Sequence, residues 1–233
     1  MNRITLSLIQ VLKRIPVVRT LTRRLHAYNL TRRWTGSENY WVERYDLGGN
    51  SGGGSYAKLA RFKADILNAF VKNRGISTVI EYGCGDGNQL RLAEYKSYLG
   101  FDVSGRALSM CRDAFASDKT KQFKLVSEYM GETADLTISL DVVYHLVEDS
   151  VFESYMKRLF ESSNRFVIVY ASNKDQQEKL QAAHIKHRRF TRWVDENCAG
   201  WSLIEHIPNK YPYNGGLAEG SFADFYVYEA SVG

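Results

Sequence analysis

The stretch VIEYGCGDGNQL, residues 79–90, decides the fold. It joins a short apolar run typical of a buried strand, a turn with glycines at 83, 85 and 87, and the polar start of a helix. Glycines let the backbone turn sharply and approach a ligand closely, and the N–H groups at a helix start offer hydrogen-bond donors. Asp102 follows the next strand-like run, where a carboxylate can accept hydrogen bonds from both ribose hydroxyls. The pattern predicts a nucleoside-cofactor site.

The glycine spacing argues against a dinucleotide. A dinucleotide-binding loop follows G-x-G-x-x-G, which would place its third glycine at position 88. This chain has Asn88 there, and Glu81 lies two residues before the first glycine. An acidic residue in that place suits a cationic ligand better than a pyrophosphate.

At these residues the chain resembles the class I (Rossmann-like) S-adenosylmethionine-dependent methyltransferases. The resemblance covers roughly residues 55–230 and depends on Glu81–Gly87, Asp102 and the segment Asp135–His145. It implies that S-adenosylmethionine is the cofactor, with its methionine end on the glycine loop and its ribose on Asp102. The cofactor-binding residues expected on this basis are Glu81, Gly83, Cys84, Gly85, Gly87, Asn88, Gln89, Asp102, Val103, Glu128, Leu140 and Asp141.

Strand and helix patterns alternate along most of the chain, which predicts an α/β domain with a parallel sheet covered on both faces. The last two strand patterns have no helix between them and should pair antiparallel. The family resemblance implies the same architecture, a seven-stranded, mostly parallel, doubly wound sheet with an antiparallel C-terminal strand pair. The strands are expected at 78–82, 98–102, 123–126, 136–140, 165–170, 201–207 and 222–229.

Three segments are expected: a basic amphipathic N-terminal arm at 1–36, an aromatic and glycine-rich lid or linker at 37–54, and a methyltransferase domain at 55–233. We predict a helix capped by Ser55 at the start of the domain, and Ser104 as the cap of a later helix. The lid-or-linker alternative stays open, because a glycine-rich tract can be a flexible connection or a loop that closes over a ligand.

The arm holds the excess positive charge of the chain. It carries eight basic and no acidic residues, and removing those eight from the total of 31 leaves 23 basic against 26 acidic residues. Its apolar residues recur at helical spacing, but no run approaches the eighteen or so needed to span a membrane. The arm could pack on the protein body, contact an anionic membrane surface, or bind nucleic acid.

Composition places the protein among ordinary globular chains. Its three cysteines, an odd number at unrelated spacings, form neither a disulfide framework nor a metal pattern, which favours a reducing cytoplasm. We therefore expect a cytoplasmic protein, with peripheral contact to the inner face of a membrane if the arm binds lipid.

The segment after the fourth strand should contain the catalytic residues. Ligands bind beyond the carboxyl ends of the strands in such sheets, so Asp141 and His145 belong beside the transferable methyl group. His145 is the candidate general base, because its ordinary pKa is near neutral, and Asp141 could orient the substrate. The alternatives are a helix-start histidine bonded to backbone carbonyls and a helix-capping aspartate.

A second group of residues is expected to contact the acceptor. His184 and His187 lie among three cations, and arginine forks bind phosphate or carboxylate at two points. The alternative for this segment is a solvated basic turn before a helix capped by Thr191. A metal is not expected, since no third ligand accompanies the two histidines. The substrate-binding candidates are Tyr40, Tyr45, Tyr144, Asn173, His184, His187, Arg188 and Arg189.

The leading function is methylation, most simply at oxygen, of a small molecule or glycan that could be anionic or lipid-linked. One alternative is a nucleic-acid or protein methyltransferase. It is disfavoured because the Asn/Asp-Pro-Pro-Tyr signature of base-amine methylases is missing after the fourth strand. The other alternative is a non-catalytic subunit that binds the cofactor.

Overall fold

The structure, a computed structural model, describes residues 34–177, 181–213 and 220–231. Residues 1–33 of the predicted arm therefore lie outside the described residues. Within the described ranges, no helix is both long enough and apolar enough to cross a membrane.

Seven strands form one sheet in the order β3-β2-β1-β4-β5-β7-β6. The first five strands pair in parallel, and β7 pairs antiparallel with both β5 and β6. This arrangement, with helices beside the sheet, confirms the predicted fold class. The strands are β1 Thr78–Tyr82, β2 Ser97–Asp102, β3 Lys121–Leu125, β4 Ala134–Leu140, β5 Ser163–Ala171, β6 Trp201–Ile207 and β7 Asp224–Ala230.

The described chain also contains five α-helices and four short 3₁₀ turns. The α-helices are α1 Ser37–Asp46, α2 Ala57–Asn73, α3 Gly105–Ala114, α4 Asp149–Glu161 and α5 Phe190–Asn197. The 3₁₀ turns are Gly53–Ser55, Gln89–Leu92, Val126–Glu128 and Val143–His145. As predicted, Ser104 caps α3, where its hydroxyl oxygen accepts the amide of Ala107 at 3.2 Å.

The register of the central strands brings their carboxyl ends to one edge of the sheet. Glu81 lies opposite Ile138 of β4, and Tyr82 lies opposite Phe101 of β2. The rings of Tyr82 and Phe101 stack at 5.2 Å in the buried core. Residues that follow these strands, including Asp141, therefore meet at the same edge.

Three predicted helix starts differ from the structure. Helix α2 begins at Ala57, and Ser55 ends the preceding 3₁₀ turn, so the predicted Ser55 cap is wrong. The helix predicted to start after the glycine turn is only the 3₁₀ turn Gln89–Leu92, because the Asn68 side chain bonds the backbone of residues 92 and 94. Helix α5 begins at Phe190, and the hydroxyl of Thr191 bonds Asn173 and caps no helix.

Candidate active site

A cavity of about 500 Å³ opens at the carboxyl ends of β1, β2 and β4. The predicted site residues in its wall are Tyr45, Glu81, Gly83, Cys84, Gly85, Gln89, Asp102, Val103, Leu140, Asp141 and His145. Further wall residues that sequence reasoning missed include Ser37, Glu38, Trp41, Lys63, Ser154 and Arg158.

The glycine loop has the shape that its sequence predicts. Gly83 and Gly85 have φ values of +81° and +59°, which residues with a Cβ rarely adopt. A Cβ on Gly83 would lie 2.4 Å from Cγ2 of Val142, and a Cβ on Gly85 would lie 2.2 Å from Oγ of Ser51. The loop therefore forms a cradle that larger residues would fill.

Glu81 and Asp102 are buried carboxyl groups in the cavity wall. The hydroxyl of Tyr98 donates to Glu81 Oε2 at 2.6 Å, and burial raises the pKa of Glu81 from 4.5 to about 7. The two oxygens of Asp102 accept the amides of Gly85 and Ser104, each at 2.9 Å. Burial nevertheless raises the pKa of Asp102. A cationic or hydroxyl-bearing ligand would offset the cost of keeping these carboxylates charged.

Only one of the two polar atoms of the Gln89 side-chain amide has a hydrogen-bond partner among the described residues. Its Nε2 donates to the carbonyl of Ala60 at 3.0 Å, whereas its buried Oε1 has no hydrogen-bond partner among the described residues. Because such an atom is costly to leave unpaired, Oε1 is available to a ligand in the cavity.

Cys84 also lines the cavity but is poorly suited to act as a nucleophile. Its thiol contacts Cys111, and that contact together with burial raises the pKa of Cys84 well above its usual value. The thiolate, which is the reactive form of cysteine, is therefore disfavoured.

Three other cofactor candidates lie outside the cavity wall. Gly87 packs on Cys111, and Asn88 donates through Nδ2 to the carbonyl of Ser55 at 2.6 Å. Glu128 Oε2 accepts the amide of Leu125 at 2.7 Å, so this side chain closes the turn after β3. The structure gives these three residues roles in holding the loops.

The segment 47–56 is fastened to the glycine loop by Asp86, which sequence reasoning did not select. Asp86 Oδ2 accepts the amide of Ser51 at 3.1 Å and the hydroxyl of Tyr56 at 2.8 Å. Ser51 Oγ in turn bonds the hydroxyl of Tyr45 at 2.8 Å. These bonds hold the glycine-rich tract against the glycine loop beside the cavity.

Asp141 forms a buried ion pair with Lys63 of α2. Lys63 Nζ lies 2.6 Å from Asp141 Oδ2, and the lysine side chain is 0% exposed. The hydroxyl of Tyr144 donates to Asp141 Oδ1 at 2.7 Å. Asp141 has a left-handed backbone with φ of +61°, which is unusual for a residue other than glycine. It does not cap an α-helix, since α4 begins at Asp149.

His145 has a defined tautomer. Its Nδ1 lies 2.9 Å from the backbone carbonyl of His184, which can only accept, so Nδ1 carries the proton and Nε2 keeps its lone pair. Burial lowers the pKa of His145 to about 4, and the imidazole is therefore neutral at physiological pH. A neutral imidazole with a free Nε2 in the cavity wall can accept a proton.

Aromatic rings of α1 pack around this histidine. Trp41 contacts His145 edge-on at 4.9 Å, and Tyr40 stacks on His184 at 4.4 Å. Burial lowers the pKa of His184 to about 3, so this ring is also neutral. Neither Tyr40 nor Tyr144 is part of the cavity wall. Tyr40 instead supports the segment that holds His145.

The other predicted acceptor residues lie away from the cavity and have structural partners. Asn173 bonds Thr191 at the start of α5, and Ser172 Oγ lies 2.6 Å from Nδ1 of the buried His187. Arg188 donates to the carbonyls of Leu146 and Val147 and pairs with Asp149, and the exposed Arg189 lies near Asp175. The predicted anion-binding patch is thus not part of this cavity, because Arg188 turns inward to the loop after β4.

The described residues contain no group of three or more histidine, cysteine or acidic side chains placed to hold a metal ion. The charge of the cavity wall is predominantly acidic, with Glu38, Glu81, Asp102 and Asp141 against Lys63 and Arg158. Such a wall favours neutral or cationic ligands over anions.

The sheet order, the glycine loop and the cavity together define the class I, Rossmann-like methyltransferase fold. Solved structures of methyltransferases share this fold at low sequence identity. The methyltransferase domain of bacterial CtHen1 is 21% identical with a TM-score of 0.58, and the match covers 74% of this chain and 100% of that one.

Two further solved structures extend the comparison. Magnesium protoporphyrin IX methyltransferase from Synechocystis PCC 6803, with bound SAH, is 17% identical with a TM-score of 0.55 and covers 74% and 84% of the two chains. The N-methyltransferase NodS from Bradyrhizobium japonicum WM9 is 13% identical with a TM-score of 0.59, and the match covers 74% of this chain and 96% of that one. No family model and no curated protein matches the chain. At these identities the likeness establishes the fold.

Proposed function

We propose that the protein is an S-adenosylmethionine-dependent methyltransferase that methylates a hydroxyl group of a small molecule or glycan, with His145 as general base. The observation that carries the proposal is the meeting of Glu81, Asp102 and His145 in one cavity beside the glycine loop. Three of the solved structures with this fold, from two proteins, contain S-adenosylmethionine or its demethylated product.

The residues in the cavity fit this cofactor. Glu81 would hold its ammonium group, Asp102 its ribose hydroxyls, and the unpaired Oε1 of Gln89 a further polar group. The glycine cradle leaves room for the methionine end. When bound, S-adenosylmethionine supplies a methyl group activated by a positively charged sulfur.

His145 would receive the proton of the acceptor hydroxyl. Nε2 would accept this proton, and the bond from Nδ1 to the His184 carbonyl keeps Nε2 unprotonated for that role. Because burial lowers the pKa of His145 to about 4, Nε2 would accept the proton only from a hydroxyl that has become strongly acidic. The acidic cavity wall favours an uncharged acceptor over an anionic one.

Titration calorimetry tests the cofactor assignment. Both S-adenosylmethionine and its demethylated product should bind, whereas nicotinamide and flavin compounds should not. Binding of a nicotinamide or flavin compound alone would overturn the proposal.

Label transfer tests the reaction. The protein should transfer label from S-adenosylmethionine to the glycan or small-molecule pool of a fractionated cell extract. Label found only in the nucleic-acid or protein pool would overturn the acceptor class, and cofactor binding with no transfer to any pool would favour a non-catalytic subunit.

We also propose that the protein is cytoplasmic and that its basic N-terminal arm contacts an anionic membrane surface. The support is the charge of residues 1–34, which include eight lysines and arginines and no acidic residue. The protein should cosediment with vesicles containing anionic lipid and not with neutral ones, and Arg23→Glu/Arg24→Glu should weaken that binding. Equal sedimentation with neutral vesicles would contradict the proposal.

A further inference from the structure

Lys63 is a charged side chain with no exposure to solvent. Its ammonium pairs with Asp141 Oδ2 at 2.6 Å and lies 5.2 Å from the centre of the Tyr170 ring. Replacing a buried ion pair by neutral residues of similar size is often harmless to stability. Stability alone therefore does not account for this pair in the cavity wall.

The pair holds a strained stretch of backbone. Asp141 has a φ of +61°, a conformation that persists in such a residue only when its surroundings enforce it. Lys63 and Tyr144 each bond one carboxylate oxygen, and the amide of Asp141 donates to the carbonyl of Tyr170 at 2.9 Å. These contacts fix both the side chain and the backbone of Asp141.

The bend at Asp141 directs the chain toward the catalytic part of the cavity. Val142 packs against Gly83 of the glycine loop, and the 3₁₀ turn that follows ends at His145. Gly54 of the segment 47–56 also lies against the ion pair, because a Cβ on this glycine would be 2.7 Å from Asp141 Oδ2. Helix α2, the segment 47–56 and the turn after β4 thus meet at the Lys63–Asp141 ion pair.

We propose that Lys63 is a positioning residue, whose ion pair with Asp141 fixes the bend after β4 and thereby sets the place of His145 in the cavity. Lys63 acts through Asp141 and not on the reacting atoms. The consequence for methyl transfer depends on the proposed function. The place of the His145 ring can be measured without any cofactor.

The test is the double variant Lys63→Met/Asp141→Asn. It removes both charges together, so that neither residue is left as a buried charge without its partner. Asparagine tolerates the left-handed backbone and still offers an oxygen to Tyr144. The ¹⁵N signals of His145, assigned by comparison with His145→Gln, report which ring nitrogen carries the proton. In the wild type Nδ1 is protonated. In the double variant these signals should shift or broaden as the bond to the His184 carbonyl loosens.

The matched control is Lys124→Met/Glu132→Gln, which removes a surface ion pair of 2.7 Å. It should leave the His145 signals unchanged. With an extract as acceptor source, the Lys63/Asp141 double variant should transfer label about 10- to 100-fold more slowly, since misplacing a catalytic group by about 1 Å has effects of that size.

Unchanged His145 signals in the folded double variant would overturn the proposal. If that variant does not fold, Lys63→Gln provides the second test, because glutamine can still donate to Asp141 but carries no charge. Displaced His145 signals in Lys63→Gln support the ion pair, and wild-type signals overturn it. Failure of the wild type to bind S-adenosylmethionine would instead refute the proposed function. The NMR comparison would still test whether the Lys63–Asp141 pair positions His145.

Discussion

Replacing Glu81 by glutamine should stabilise the protein at alkaline pH and weaken its affinity for S-adenosylmethionine. Glu81 is 4% exposed, and its carboxyl group accepts a 2.6 Å hydrogen bond from Tyr98. Glutamine keeps the size of the side chain and an oxygen for Tyr98, but it carries no charge. The substitution therefore isolates the cost and the benefit of ionising this carboxyl group.

The magnitude follows from the pKa of Glu81, which burial raises from 4.5 to about 7. Between these two values the native protein binds a proton that the unfolded chain has released. The free energy of unfolding of the wild type should therefore fall as the pH rises through this range and then level off. One pKa unit corresponds to about 1.4 kcal/mol, so the full effect is about 3 kcal/mol.

Ligand binding should show the opposite trend. The ammonium group of S-adenosylmethionine favours the charged form of Glu81, so binding below about pH 7 must release its proton. Affinity of the wild type should rise with pH up to that point. Affinity of Glu81→Gln should be independent of pH in this range and about 10- to 100-fold weaker at pH 8, because a charge-assisted hydrogen bond is lost.

Urea denaturation of both proteins from pH 4 to pH 9 measures the first effect, and calorimetry measures the second. Glu153→Gln, on the exposed side of α4, is the matched control and should follow the wild type. A stability difference between wild type and Glu81→Gln that does not change with pH would refute the reasoning.

Three further substitutions probe other parts of the site. His145→Gln should slow label transfer at least about 100-fold, the usual scale for a general base, and leave affinity for the demethylated cofactor intact; an unchanged rate would remove His145 from the mechanism. Arg188→Met should lower the free energy of unfolding by about 2 kcal/mol through loss of its bonds to the carbonyls of residues 146 and 147, and an unchanged urea midpoint would contradict this. Asp86→Ala should speed hydrogen exchange at the Ser51 amide by about tenfold or more, and equal exchange would show that Asp86 does not hold the loop.

The sequence predicts those parts of the fold that depend on neighbouring residues. The apolar run at Thr78–Tyr82 gave β1 its observed bounds, and Ser104 caps α3 as expected. The glycine loop and Asp102 also lie together as predicted, because the spacing of strand, turn and strand leaves few alternatives.

The partners of charged side chains could not be predicted in this way. Lys63 interrupts the apolar face of α2, and its partner Asp141 is 78 positions away. Arg188 resembles a surface cation in sequence, yet it bonds carbonyls 41 and 42 positions earlier in the chain. A lysine among apolar helix positions and an acidic residue inside a glycine loop were the available signals for Lys63 and Asp86.

Residues 37–56, which line one side of the cavity, are held by hydrogen bonds at two separate places. The hydroxyl of Ser37, at the start of α1, bonds Glu148 at 2.6 Å. After the end of α1, the amide of Ser51 donates to Asp86 Oδ2. Gly48 and Gly52, both in left-handed conformations, lie on either side of Ser51's neighbour Asn50. Loss of the Ser37 bond would free the end of this segment that lies beside His145, whereas loss of the Ser51 bond would free the end that lies on the glycine loop. The two ends of residues 37–56 therefore cover different parts of the cavity wall.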